Sequence, residues 1–187
     1  MIRKTLTLLV LLFLYHLPAS AQELSKVDLF AGASFIHLTG PSEPSLKVYG
    51  GVFSGSYNVN HFISWTGEFG FYSNSSASDG RAESYMFGPK VSLTLHKTGR
   101  FLPYAQWLLG AAHTDANFNG TPFSSTDFAQ SPGIGLDVAV THHLAIRPFE
   151  ADFLVLKQPV FDPATGTNDA TVTQKSFRYS GGVVFRF

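Results

Sequence analysis

The chain has 187 residues, a length that suits one domain with a substantial core. Its 13 Lys and Arg balance 13 Asp and Glu, and only 14% of residues are charged, so the electrostatic footprint of a nucleic-acid-binding protein is missing. Cysteine is absent, which excludes a disulfide scaffold and a lipid-bearing Cys.

At the N-terminus, Arg3 and Lys4 precede the apolar run "LTLLVLLFLYHL", Leu6 to Leu17, and "PASA" follows, with Ala19 and Ala21 in a small-x-small pattern. The run is shorter than the about 20 residues of a membrane-spanning helix. It predicts a cleavable secretory signal over residues 1–21 and a single domain over residues 22–187. Cleavage would remove two basic residues and no acidic one, leaving 11 Lys and Arg against 13 Asp and Glu.

Beyond residue 21 the recurring pattern is period two, with no convincing helical periodicity. Eight segments carry it: Val27 to Leu38, Lys47 to Asn58, Phe62 to Tyr72, Ser84 to Leu95, Leu102 to His113, Phe128 to Val140, Leu144 to Lys157 and Lys175 to Phe187. In "FISWTGEFGFY" the apolar phase is Ile63, Trp65, Phe69 and Phe71; in "YMFGPKVSLTL" it is Tyr85, Phe87, Val91 and Leu93; in "GIGLDVAV" it is Ile134, Leu136 and Val138. The opposite phase is small or polar in each. The last segment alternates in the same way, through Phe177, Tyr179, Val183, Phe185 and Phe187.

The connections alternate in length. Short turns follow the second, fourth and sixth segments, at "VNH", "HKTGR" and "THH". Longer polar stretches follow the others: "TGPSEPS", "SNSSASDGRAE", "TDANFNGTPFSSTD" and "QPVFDPATGTNDATVTQ". An even strand count puts both termini on the short-turn side. The expected fold is therefore all-β: an eight-stranded antiparallel up-and-down transmembrane β-barrel, preceded by the signal peptide, with periplasmic termini and four extracellular loops. Its ring-rich phase, including Trp65, Phe69, Phe71, Tyr85, Phe87, Val91, Leu93, Ile134, Leu136 and Val138, is expected to face outer-membrane lipids.

The chain resembles the OmpA-like small outer-membrane β-barrel family of Gram-negative bacteria. The resemblance is carried by the terminal "VVFRF", the "GIGLDVAVTHHLAIRP" hairpin and the signal-like N-terminus, and it is to members without a peptidoglycan-binding domain. It implies that Tyr179, Val183, Phe185 and Phe187 form the signal read by the barrel assembly machinery.

Eight strands enclose a bore just wide enough for side chains to fill. The inward phase holds Ser64, Thr66, Glu68, Lys90, Ser92, Asp137, Ser176 and Arg178. Asp137 and Arg147 lie five residues either side of His142 and face each other across a hairpin. Keeping Glu150 and Asp152 out of the hydrocarbon then requires a one-residue bulge at Arg147 and Pro148. The expectation is an ion network in which Glu68, Lys90, Glu150 and Arg178 meet at mid-height, with Asp137 and Arg147 closing the lower end.

Other candidate chemistry is weaker. His61, His96, His142 and His143 gather at the short turns, but adjacent His142 and His143 are expected to project to opposite faces, and no ligand-like spacing accompanies them. His37 and His113 lie toward the other rim, where some resembling barrels are lipid A-modifying enzymes; no His-x-Ser stands at a strand end, and His37 with Thr39 is a poor substitute. "GIGLD" has no following helix and so is no dinucleotide site. Phe118, Phe123 and Phe161 stand among Ser, Thr, Asn and Asp, a composition that suits an extracellular partner or mobile loops.

These features point to a non-enzymatic barrel with a structural or surface-display role and no cofactor. The alternatives are a narrow porin-like channel for ions or small solutes, a lipid A-modifying enzyme, and a soluble lipocalin-like binder. The last requires large apolar side chains inside, opposite to the phase of Trp65, Phe69 and Phe87.

Overall fold

The computed structural model describes residues 25–38, 46–74, 80–94, 100–118, 121–162 and 167–187. The signal-like segment 1–21, His96 and the first polar connection lie outside them. The strands are β1 (Val27–Leu38), β2 (Leu46–Asn58), β3 (Ile63–Asn74), β4 (Gly80–Ser92), β5 (Phe101–Phe118), β6 (Thr121–Ala139), β7 (Leu144–Asp162) and β8 (Thr167–Arg186).

Each strand pairs antiparallel with the next, and β1 pairs with β8 to close an eight-stranded barrel. Closure is forced by the sequence pattern. An apolar outer surface cannot lie in hydrocarbon while a sheet edge leaves backbone groups unpaired. The seam is tight to its last residue: Val27 N donates to Phe187 O at 3.2 Å and Phe187 N donates to Val27 O at 2.9 Å.

The side-chain phase is the expected one. Trp65, Phe71, Tyr85, Phe87, Val91, Leu93 and Ile134 are exposed on the outer wall, as are Tyr179, Val183, Phe185 and Phe187. Phe69, Leu136 and Val138 share that wall and are half-covered by their neighbours. Cross-strand ring pairs build it: Trp65 stacks on Phe87 with centroids 5.4 Å apart, and Phe69 leans on Tyr85 at 5.1 Å.

Inside, apolar residues form two plugs. Phe30, Val52, Ala145 and Val184 pack toward the terminal end, and a larger set including Ile36, Val48, Tyr72, Leu108 and Leu154 packs toward the other.

The strands run further than their patterning predicts. The stretches 114–127 and 158–174, expected as loops, are mostly β-ladder: β5 and β6 pair from Phe101↔Val138 out to Phe118↔Thr121, and β7 pairs β8 as far as Asp162↔Thr167. Polar residues in both phases look like loop in a sequence, yet backbone pairing of two strands does not itself require an apolar phase. Conversely, β4 stops at Ser92, short of Leu95, although Leu93 N still donates to Pro103 O at 2.8 Å.

β7 carries a bulge. Against β6 the register steps from Leu136↔Phe149 to Val138↔Ile146, and against β8 from Arg147↔Gly182 to Glu150↔Ser180. One extra β7 residue is absorbed around Arg147 and Pro148, and Arg147, Glu150 and Asp152 all end inside the bore, each at most 3% exposed.

Candidate functional site

Between the two apolar plugs lies a belt of buried charge. Arg147, at the β7 bulge, grips Asp137 of β6 with two hydrogen bonds: Nε to Oδ1 at 2.7 Å and Nη2 to Oδ2 at 3.2 Å. Its Nη1 donates to Glu150 Oε2 at 2.6 Å. The guanidinium lies between two rings, 4.1 Å from the Phe30 centroid and 4.7 Å from that of Tyr104. Such bidentate, ring-stacked geometry suits Arg and not Lys. The Tyr104 hydroxyl also donates to Glu150 Oε2. Lys90 of β4 approaches the same group, its Nζ 3.7 Å from Asp137 Oδ2 and 4.3 Å from the Tyr104 ring centroid.

A second centre is built on Arg178 of β8, which is fully buried. Its Nε and Nη2 donate to Asp152 Oδ2 at 3.0 and 2.8 Å, while Nη1 donates to Glu68 Oε1 and, at 3.1 Å, to the Tyr72 hydroxyl. Gln106 Nε2 donates to the other Asp152 oxygen at 3.1 Å. Glu150 joins the two centres, since its Oε1 lies 3.7 Å from Arg178 Nη2. Charges this deeply buried persist only when paired and hydrogen-bonded, and these largely are.

Two glycines of the "GIGLD" stretch make room for the belt. A Cβ on Gly133 would run into the Asp152 carboxylate, and one on Gly135 into the Tyr104 ring and hydroxyl. Close approach, not a ligand-binding loop, explains the motif.

All six charges expected in the bore, Glu68, Lys90, Asp137, Arg147, Glu150 and Arg178, are buried there. Their grouping differs in one respect. Lys90 belongs with Asp137 and Arg147 instead of with Glu68 and Arg178, because strand tilt and stagger place it level with Ser64 and, through β3, with Asn58 near the terminal end. Asp152, Tyr72, Tyr104 and Gln106 are further members. Asp152 shares the phase of Glu150, and Tyr104 and Gln106 share an inward phase in "FLPYAQWLL", but phase alone does not reveal which polar groups meet.

His61, His142 and His143 sit at the short turns as expected, but one pair is arranged otherwise. His142 and His143 stack, centroids 5.1 Å apart, because they sit in a turn where strand alternation does not apply. Among the described residues no three His, Asp or Glu side chains gather as a metal site. On the outer wall of the β5–β6 ribbon, His113 Nδ1 bonds Thr126 Oγ1 at 2.8 Å, and its Nε2 lies 3.3 Å from Asp115 Oδ2 and 3.5 Å from Ser124 Oγ. Ser124 and Asp115 compete for one ring nitrogen, whereas a Ser-His-Asp relay needs them on opposite ones. Thr126 and Asp115 do stand on opposite nitrogens, but among the described residues the cluster is exposed to water.

A closed, ring-jacketed barrel with its charges turned inward defines the chain as a transmembrane β-barrel protein. Its sequence matches the outer membrane protein beta-barrel domain over residues 6–187, and the chain belongs to that family. Among solved structures it is similar to neisserial surface protein A (NspA), with a TM-score of 0.70 at 17% identity over 87% of this chain and 98% of that one. It is also similar to Ail, the attachment invasion locus protein of Yersinia pestis, with a TM-score of 0.59 at 16% identity over 88% and 99%. The N-terminal β-barrel domain of Pseudomonas aeruginosa OprF gives a TM-score of 0.51 at 16% identity over 89% and 100%. No curated protein matches the sequence.

Proposed function

We propose that this protein is a non-enzymatic, integral outer-membrane barrel that spans the bilayer with a filled bore and displays its β5–β6 and β7–β8 ribbons beyond it. The observation that carries this reading is the inversion of polarity: Trp65, Phe87 and Phe185 face outward, while Glu150 and Arg178 are shut inside. A soluble barrel would be built the other way round. The ionic belt and its two apolar plugs leave side chains where a wide pore would need water.

On this reading residues 1–21 are the export signal, both termini are periplasmic and the ribbons are extracellular. Phe187, with Phe185, Val183 and Tyr179, presents the alternating terminal pattern to the barrel assembly machinery, and outer-membrane lipids solvate the rings. The polar ribbons are the surface for any extracellular partner.

Expression in a Gram-negative host tests the proposal. The protein should fractionate with the outer membrane, migrate differently on SDS gels before and after boiling, and conduct negligibly in planar bilayers. It should also leave the mass spectrum of lipid A unchanged. Recovery in soluble periplasm, or shortened lipid A, would refute it.

A further inference from the structure

The terminal mouth of the bore is a cavity of about 370 Å³, rimmed by the turns at residues 59–62 and 140–143 and reaching in to Lys90 and Asp137. That is about a dozen waters' share of liquid volume, enough for a hydrated solute. Its acids are already engaged. Asp28 accepts from Ser25 Oγ at 2.7 Å and from Asn58 Nδ2 at 3.1 Å, and Asp137 is held by Arg147 and Lys90.

Two of its cations make no direct ion pair. Arg100 and Arg186 line the cavity without a contacting carboxylate among the described residues, and Asp137 acts on Arg186 only through its field. Arg186 Nε is shielded from water and has no hydrogen-bond acceptor, an arrangement that is costly for a guanidinium N–H. The residue is inward by phase, since its neighbours Phe185 and Phe187 are exposed on the outer wall.

The lining of the mouth is polarised in the same sense, with Lys90, Arg100 and Arg186 standing against Asp28 and Asp137. Low-dielectric walls focus such a field into the cleft they enclose.

We propose that this vestibule binds a small oxyanion of the phosphate class, with Arg186 donating through its terminal Nη groups and Lys90 and Arg100 supplying further positive charge. The fork of an arginine matches two oxygens of a tetrahedral anion, which chloride cannot reproduce. The site lies inside the bore behind the turns, so a free solute reaches it and a bilayer headgroup does not.

Isothermal titration of the refolded full chain in an uncharged maltoside detergent, with inorganic phosphate and separately with chloride, tests this. Phosphate should bind saturably and chloride should not. Arg186→Gln should weaken phosphate binding by about tenfold, in line with the loss of a charge-assisted hydrogen bond, and Arg100→Gln by a few-fold. Heat-dependent gel migration checks that each variant folds; if Arg186→Gln does not, Arg100→Gln and Lys90→Met carry the test. Equal response to chloride, absence of saturable phosphate binding, or binding indifferent to the folded variants would overturn the proposal.

Discussion

Arg147 and Arg178 are the two guanidiniums of the belt, and they are held in different ways. Arg147 draws its carboxylates from nearby sequence, Asp137 ten residues before it and Glu150 three after, so the β6–β7 hairpin alone can assemble its centre. Arg178 joins β8 to Glu68 on β3, 110 residues away, and to Asp152 on β7. Its bond to Glu68 spans the bore and forms only when the barrel has closed. The comparison teaches that one centre organises a hairpin while the other reports closure of the whole cylinder.

Substitutions at the two centres should separate these roles. The largest effect is expected from Arg178→Met, which strands Glu68 and Asp152 in a dry interior. Removing one partner of a buried pair costs about 3–5 kcal/mol, and urea unfolding in lipid vesicles should show a loss of that size. Adding Glu68→Gln and Asp152→Asn should recover most of it, because no stranded charge would remain. If the loss persists in the triple variant, the guanidinium acts through packing and not through charge.

Arg147→Met should cost less, about 1.5–3 kcal/mol in the same measurement, the range for hydrogen bonds to charged groups. Lys90 remains beside Asp137, and the Tyr104 hydroxyl still serves Glu150. A loss equal to that of Arg178→Met would remove the distinction between a hairpin centre and a closure centre.

The smallest effect is expected from Lys90→Met. Its Nζ stands 3.7 Å from a carboxylate that Arg147 already grips twice, so stability should shift by no more than about 1 kcal/mol. Conductance in planar bilayers should stay at the wild-type baseline. A clear rise in conductance would make Lys90 part of the seal.

Much of this architecture is written in one dimension. Strand phase follows from the geometry of a pleated chain, in which neighbouring side chains point to opposite faces. The alternation of Trp65, Phe69 and Phe87 with Thr66, Glu68 and Lys90 therefore determined both the barrel and its polarity. Pro148 beside Arg147 marked the bulge, because a residue without an N–H interrupts the ladder and the carboxylates beyond it had to stay inside. The outer reaches were not marked in this way, since the polar stretches of β5 and β6 lack an apolar phase.

What the sequence alone determined, then, is which residues face inward. Which of them touch was decided by the tertiary structure. Strand tilt and stagger set the relative heights of side chains on different strands, and these emerge only when the sheet closes on itself. That is why Lys90 meets Asp137 instead of Glu68, and why Gly133 and Gly135 prove to be clearances for Asp152 and Tyr104.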